Sequence, residues 1–230
     1  MIHVHYFITR KPEIDETAFH RYWREVHAPI VVKIRQLRRY VQSHRVAIAR
    51  TESAYDEGLS PYDGVAEVLL DGLDAFAALR ESPEYLEGAL ADESNFIDLT
   101  RVEWMVTADR VNLDGPTGGN LVKGVWQLKR KPGMALADFR RYWIDVHGKL
   151  GAALPGLRRY VQSHLIDEAY LHAEPRHDGI AQLWFDSPAA LAAAFDSAAG
   201  KELQADGPKM LDMRLLRFFV AEEYVVIPSR

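Results

Sequence analysis

Two histidines, His27 and His147, each close the same string, Phe-x-x-Tyr-Trp-x-x-x-His, at residues 19–27 and 139–147. A second string, Leu-Arg-Arg-Tyr-Val-Gln-Ser-His, follows in both places, at residues 37–44 and 157–164. Imidazole titrates near neutrality, so His27 and His147 suit general acid or base catalysis. The bland role for either is to sit at a helix C-terminus and interact with its dipole. Tyr40, Gln42 and His44, with Tyr160, Gln162 and His164, alternate along β-like runs and therefore share a face. If that face is covered, these polar groups must bond one another or a ligand's oxygens. Trp23 and Trp143 carry a polar N–H on a large ring and suit either core or the wall of an aromatic-binding pocket. Arg38-Arg39 and Arg158-Arg159 read as a solvated strand entry or an inter-unit salt bridge rather than as an anion clamp.

Other chemistries find little support. The chain has no cysteine, which removes thiolate nucleophiles, disulfides and cysteine-held metals. His3 and His5 share a strand face, a spacing that suits chelation, but the second copy has Lys123 and Val125 there. With no His-Glu-x-x-His string either, the expectation is no metal. Glycine-rich nucleotide-binding motifs and Gly-x-Ser-x-Gly are also absent. Twenty-eight basic residues against 33 acidic give a net charge of −5, which offers no basic field for nucleic acid. The chain has neither a secretory start nor an apolar run of membrane-spanning length, so a soluble, cytoplasmic protein is expected.

The elements that carry these residues follow from hydrophobic spacing. Residues 2–9 read as a strand, with His3, His5 and Phe7 on one face and Val4, Tyr6 and Ile8 on the other. Asp15 is a plausible N-cap for a helix whose stripe comprises Phe19, Tyr22, Trp23, Val26 and Ile30, with His27 at its edge. Residues 37–49 read as a strand, 50–60 as a loop, and 65–70 as a strand after Asp63-Gly64. Residues 73–90 read as a helical region broken at Ser82-Pro83, and 102–106 as a fourth strand.

The same order recurs in the second half. Between residues 10–44 and 130–164, 17 of 35 positions are identical, without a gap. The chain therefore divides into residues 1–111, a Gly/Pro linker at 112–120, and residues 121–230, the last ending in an extra β-like tail at 223–227. Each half reads β-α-β-β-α-β, the ferredoxin-like plan, which leaves one sheet face bare. The fold class expected is α+β, with two tandem ferredoxin-like units packed sheet-to-sheet as an intramolecular α+β barrel. That also accounts for strands that are apolar on both faces.

These strings resemble the signature of EthD domains, as do Leu154-Pro155-Gly156-Leu157-Arg158-Arg159-Tyr160 and the Asp-Gly strand starts at Asp63-Gly64 and Asp178-Gly179. The first copy departs at Ile34-Arg35-Gln36, which bears on loop geometry. The resemblance implies a dimeric α+β barrel with a ligand pocket between the sheet and helices of a unit. It implies a cofactor-free enzyme of catabolism or secondary metabolism, acting on an aromatic, polyketide or lactone by decarboxylation, dehydration, isomerisation or cyclisation. A lyase or isomerase is thus expected, with a cofactor-independent monooxygenase as the runner-up. A non-catalytic small-molecule carrier, or a haem binder using His27, His147, His44 or His164, is the remaining alternative. The pseudo-dimeric chain could itself form a homo-oligomer. In the enzyme reading His27 and His147 move protons. Trp23, Tyr40, His44, Trp143, Tyr160 and His164 hold the substrate.

Overall fold

The computed structural model describes residues 1–46 and 60–228. Residues 50–59 of the stretch read as a loop, and 47–49 at the end of the expected second strand, lie outside the described residues. The first repeat runs β1 (Ile2–Ile8), α1 (Glu16–Tyr22), α2 (Ala28–Val31), β2 (Arg39–Arg45), β3 (Gly64–Leu70), α3 (Leu73–Glu81), α4 (Leu90–Glu93) and β4 (Glu103–Leu113). The second runs β5 (Val122–Leu128), α5 (Leu136–Tyr142), α6 (Gly148–Ala152), β6 (Arg159–Leu165), β7 (Gly179–Phe185), α7 (Pro188–Asp196), α8 (Ala198–Met210) and β8 (Arg217–Ile227). Both are therefore βαββαβ. The strands of each repeat pair antiparallel, in the order β2-β3-β1-β4 in the first and β6-β7-β5-β8 in the second. The residues read as a separate tail, 223–227, continue β8 without a break.

Within the first unit, β1 pairs with β3 and β4, and β3 also pairs with β2. Within the second, β5 pairs with β7 and β8, and β7 with β6. Every residue of β5 and of β7 is buried, as expected of strands covered on both faces.

Asp15 caps α1 by accepting from the Ala18 N–H at 2.8 Å. The helix then departs from the simple stripe. Residues Trp23–His27 form a π-helical turn, which takes in one residue more than an α-turn. That extra residue rotates everything after it. Val26, expected inside, is 43% exposed, and His27, expected at the edge, is 5% exposed. The second copy repeats the turn at Trp143–His147, and Val146 is likewise exposed.

Trp23 and Trp143 are the largest of the fully buried side chains. Burying a ring of that size is worth on the order of 5 kcal/mol. The Asp-Gly strand starts make room for them. A Cβ on Gly64 would lie 2.6 Å from Trp23 Cζ3, and one on Gly179 would lie 2.6 Å from Trp143 Cζ3. The preceding aspartates anchor β1 and β5: Asp63 accepts from the Arg10 N–H and guanidinium, and Asp178 from the same groups of Arg130. Arg38 and Arg158 pair with Asp71 and Asp186, each inside its own unit. Gly156 has φ +73°, whereas no described non-glycine residue has positive φ, so the loop at Ile34-Arg35-Gln36 takes another path.

Candidate active site

The π turn frees the Trp23 carbonyl for two donors. It accepts the Ala28 N–H along the helix and the Gln42 side-chain amide, at 2.8 Å, from β2. Gln42 also donates to the Tyr40 hydroxyl at 2.9 Å, and the Trp23 indole N–H reaches the same oxygen at 3.3 Å. Its lone pairs thus engaged, the Tyr40 hydroxyl keeps its own proton to give. The second unit repeats the latch, with Gln162 donating to the Trp143 carbonyl at 2.9 Å and to the Tyr160 hydroxyl at 3.1 Å.

The register shift carries His27 inward to an aspartate from the other helix of its unit. His27 Nδ1 lies 2.9 Å from Asp92 Oδ2. Tyr22 donates to Asp92 Oδ1 at 2.8 Å, and Asn95 to the same oxygen at 3.1 Å. Burial pushes the Asp92 carboxyl up, but the hydrogen bonds from His27, Tyr22 and Asn95 together hold it below its ordinary value. Burial lowers His27, and the Asp92 bond only partly restores it. At neutral pH the pair is therefore a carboxylate and a neutral imidazole that donates from Nδ1. Nε2 is left as the basic nitrogen. His147 and Asp206 form the same pair at 2.9 Å, with Tyr142 on Asp206 at 2.8 Å.

The residue after Asp92 is Glu93, 6% exposed. Burial raises its carboxyl to about 7, and the nearby Asp92 charge adds to this against the 3.0 Å hydrogen bond donated by Tyr6. Glu93 arrives here because Ser82, extended before Pro83, ends the preceding helix. The chain restarts as a second π turn, Glu84–Ala89, leading into α4.

His27, Tyr40, Glu93, Tyr6 and Tyr85 all line one cavity of about 450 Å³ between the sheet and helices of the first unit. The rest of its wall is mostly apolar, with Val4, Ile8, Val68, Phe76 and Trp104 among it. That size suits a small organic ligand. A raised carboxylic acid, a carboxylate-oriented imidazole and a phenolic donor in one apolar cavity form an acid–base set.

The second cavity is about 230 Å³ and is lined by His147 and Tyr160, but without a carboxylate. The position after Asp206 is Gly207, and the counterpart of Tyr6 is Trp126, which fills space by stacking on Phe218 at 4.5 Å. The repeat keeps the His–Asp pair and loses the acid.

Of the residues nominated from sequence, His27, Trp23 and Tyr40 line the first cavity, and His147 and Tyr160 the second. His44, His164 and Trp143 line neither. His44 is held by Gln42 at 3.1 Å and by His20 at 2.7 Å, and burial drives it down to about 2. His164 stacks on Trp143 and is lowered to about 4, mainly by burial. Sequence reasoning missed Asp92, Asp206 and Glu93. The available signal was Ala91-Asp92 against Ala205-Asp206, which align only if the repeat is shifted by one residue after the Asp-Gly strand.

The EthD domain model matches residues 11–100 and 131–214, one match in each unit. The chain belongs to the EthD family. Among characterised relatives, Dehydratase CTB10 of Cercospora beticola is 24% identical over 110 residues, covering 44% of this chain and 83% of the relative. The conidial pigment biosynthesis dehydratase EthD of Metarhizium robertsii is 28% identical over 100 residues, covering 40% of this chain and 70% of the relative. Each match is about the length of one EthD unit. A solved anthrone oxidase-like protein superposes with a TM-score of 0.63 at 12% identity, covering 100% of this chain and 94% of its own, which bears on the fold. Among the described residues, no helix of this EthD protein is long and apolar enough to cross a membrane.

Proposed function

We propose that this EthD protein is a cofactor-independent dehydratase of hydrophobic, oxygenated small molecules, and that only its first unit performs the chemistry. The observation that carries the reading is Glu93, an acid raised to about 7 in the same apolar cavity as the His27–Asp92 pair. The suited substrate is a cyclic β-hydroxy ketone that gains aromaticity by losing water. Neutral His27 removes a proton from the carbon next to the carbonyl through Nε2, and Asp92 stabilises the imidazolium that results. The Tyr40 hydroxyl donates to the developing enolate oxygen. The enolate electrons form the new C=C bond as the C–O bond breaks, and protonated Glu93 delivers its proton to the departing hydroxyl. Tyr6 occupies Glu93 Oε2, so Oε1 would carry that proton. The product leaves with one water, and proton return from imidazolium to Glu93 resets the site.

Support from outside the cavity is the pair of relatives named dehydratases. The test is turnover of a panel of hydroxylated tetralones, followed by the absorbance of the naphthol product. Wild-type protein should accelerate water loss, and Glu93→Gln and His27→Gln should each lose the acceleration while still quenching Trp104 fluorescence on ligand binding. Full rates in both variants would overturn the assignment.

A further inference from the structure

We infer that His3, His5 and Glu67 form a binding site for one divalent transition-metal ion of the zinc class. The three side chains are all buried, and one donor atom from each lies within 4.8 Å of the other two. They belong to the face of β1 opposite the cavity, since Val4, Tyr6 and Ile8 point the other way. His3 and His5 are two residues apart on that face, with ring centroids 4.4 Å apart. Glu67 is the direct cross-strand partner of His5.

The hydrogen bonds around the cluster set its tautomer. Thr107 Oγ1 donates to the His3 carbonyl at 3.2 Å, which uses its only proton. The contact between His5 Nε2 and Thr107 Oγ1, at 3.1 Å, must then run from His5 to the hydroxyl. His5 Nδ1 stands 3.8 Å from Glu67 Oε2 across the strand pair, and a metal ion held there would take Nδ1 as its ligand while Nε2 kept its proton. In a tetrahedral zinc site, with bonds of about 2.0–2.1 Å, donor atoms stand about 3.4 Å apart, so only small side-chain adjustment is needed. The outer contacts are those a metal site uses. His5 donates its other ring N–H to a fixed hydroxyl, and Ser43 donates to the far oxygen of Glu67. Two imidazoles and a carboxylate leave a fourth position for water.

The second unit lacks all three donors. Lys123, Val125 and Gln182 stand in their places, with Val125 opposite Gln182 as His5 is opposite Glu67. The site therefore belongs to the first unit alone.

The test uses the full chain, stripped with a chelator and titrated with Co²⁺ as a spectroscopic probe and then Zn²⁺ by calorimetry. One equivalent of Co²⁺ should give visible d–d bands, Zn²⁺ should displace it, and Zn²⁺ should raise the thermal midpoint. His3→Gln and Glu67→Gln should each remove the bands, and His172→Ala, an exposed histidine, should keep them. Wild-type protein with no bands and no midpoint shift would overturn the inference, whether or not the variants fold. So would bands that survive both variants, or a simple His5–Glu67 ion pair seen by NMR in the presence of excess Zn²⁺.

Discussion

Asp92 fixes His27 from the Nδ1 side at 2.9 Å, and Asp206 fixes His147 at the same distance. One pair shares its cavity with a buried glutamate and the other does not. Chemistry and architecture can therefore be separated by mutating the same position twice.

His27→Gln should lower kcat on the order of 10²–10⁴-fold, the usual worth of a positioned base. His147→Gln should leave kcat within a few-fold of wild type and cost only stability, about 1–2 kcal/mol for a buried hydrogen bond left unmade. Urea melts run beside steady-state kinetics read both. Equal losses of rate in the two variants would contradict a single active unit.

The pH dependence of kcat should be bell-shaped. His27 must be neutral, and burial holds it below 6.5, so activity should persist down to a limb on the acid side of that value. Glu93 must be protonated, so the alkaline limb should fall at about 7. A pH–rate series on one substrate checks this, and a rate still rising above pH 8 would rule out Glu93 as the acid.

Glu93 should also cost stability. The folded chain holds this proton more tightly than the unfolded chain. Stability should therefore decline from about pH 4.5, where the unfolded carboxyl ionises, to about 7, where the folded one follows, and then level off. Ionising the folded carboxyl costs about 3 kcal/mol at the upper end, from the size of that displacement. Glu93→Gln should accordingly stabilise the protein at pH 8 and give little or no gain at pH 4. Chemical denaturation at the two pH values measures the difference.

Gly64→Ala should destabilise by about 1–3 kcal/mol, because the new methyl meets the Trp23 ring and the Ser43 carbonyl at 2.6 Å. A smaller ring should relieve it, so Trp23→Phe should cost less in the Gly64→Ala background than alone. A double-mutant cycle by thermal melts tests the coupling.

The two-fold repeat, the βαββαβ order and the faces of β1 and β2 were legible because strands keep a period of two and the copies reinforce one another. The same period puts Tyr40 on the face of β2 that lines the cavity. His27 was nominated, but Val26 was given the inward position, since a strict 3.6-residue period has no place for the π turn. Glu93 was invisible for a related cause. Its pKa comes from apolar walls supplied by β1, α3 and β4, which are distant in sequence, and its own neighbourhood, Leu90-Ala91-Asp92-Glu93, reads as an ordinary polar helix end. The neighbours of His44 are Gln42 and His20, which alternation does not reveal, because it shows which face a side chain takes and not what meets it there.

The five-residue turn at Trp23–His27 acts as a phase shifter. Positions before and after it run on different helical clocks, so deleting Arg24 or Glu25 would restore one clock and turn His27 away from its inward place. The imidazole would then face solvent while every catalytic residue was still encoded. In this protein the spacing between side chains is as much a determinant of the site as the side chains themselves.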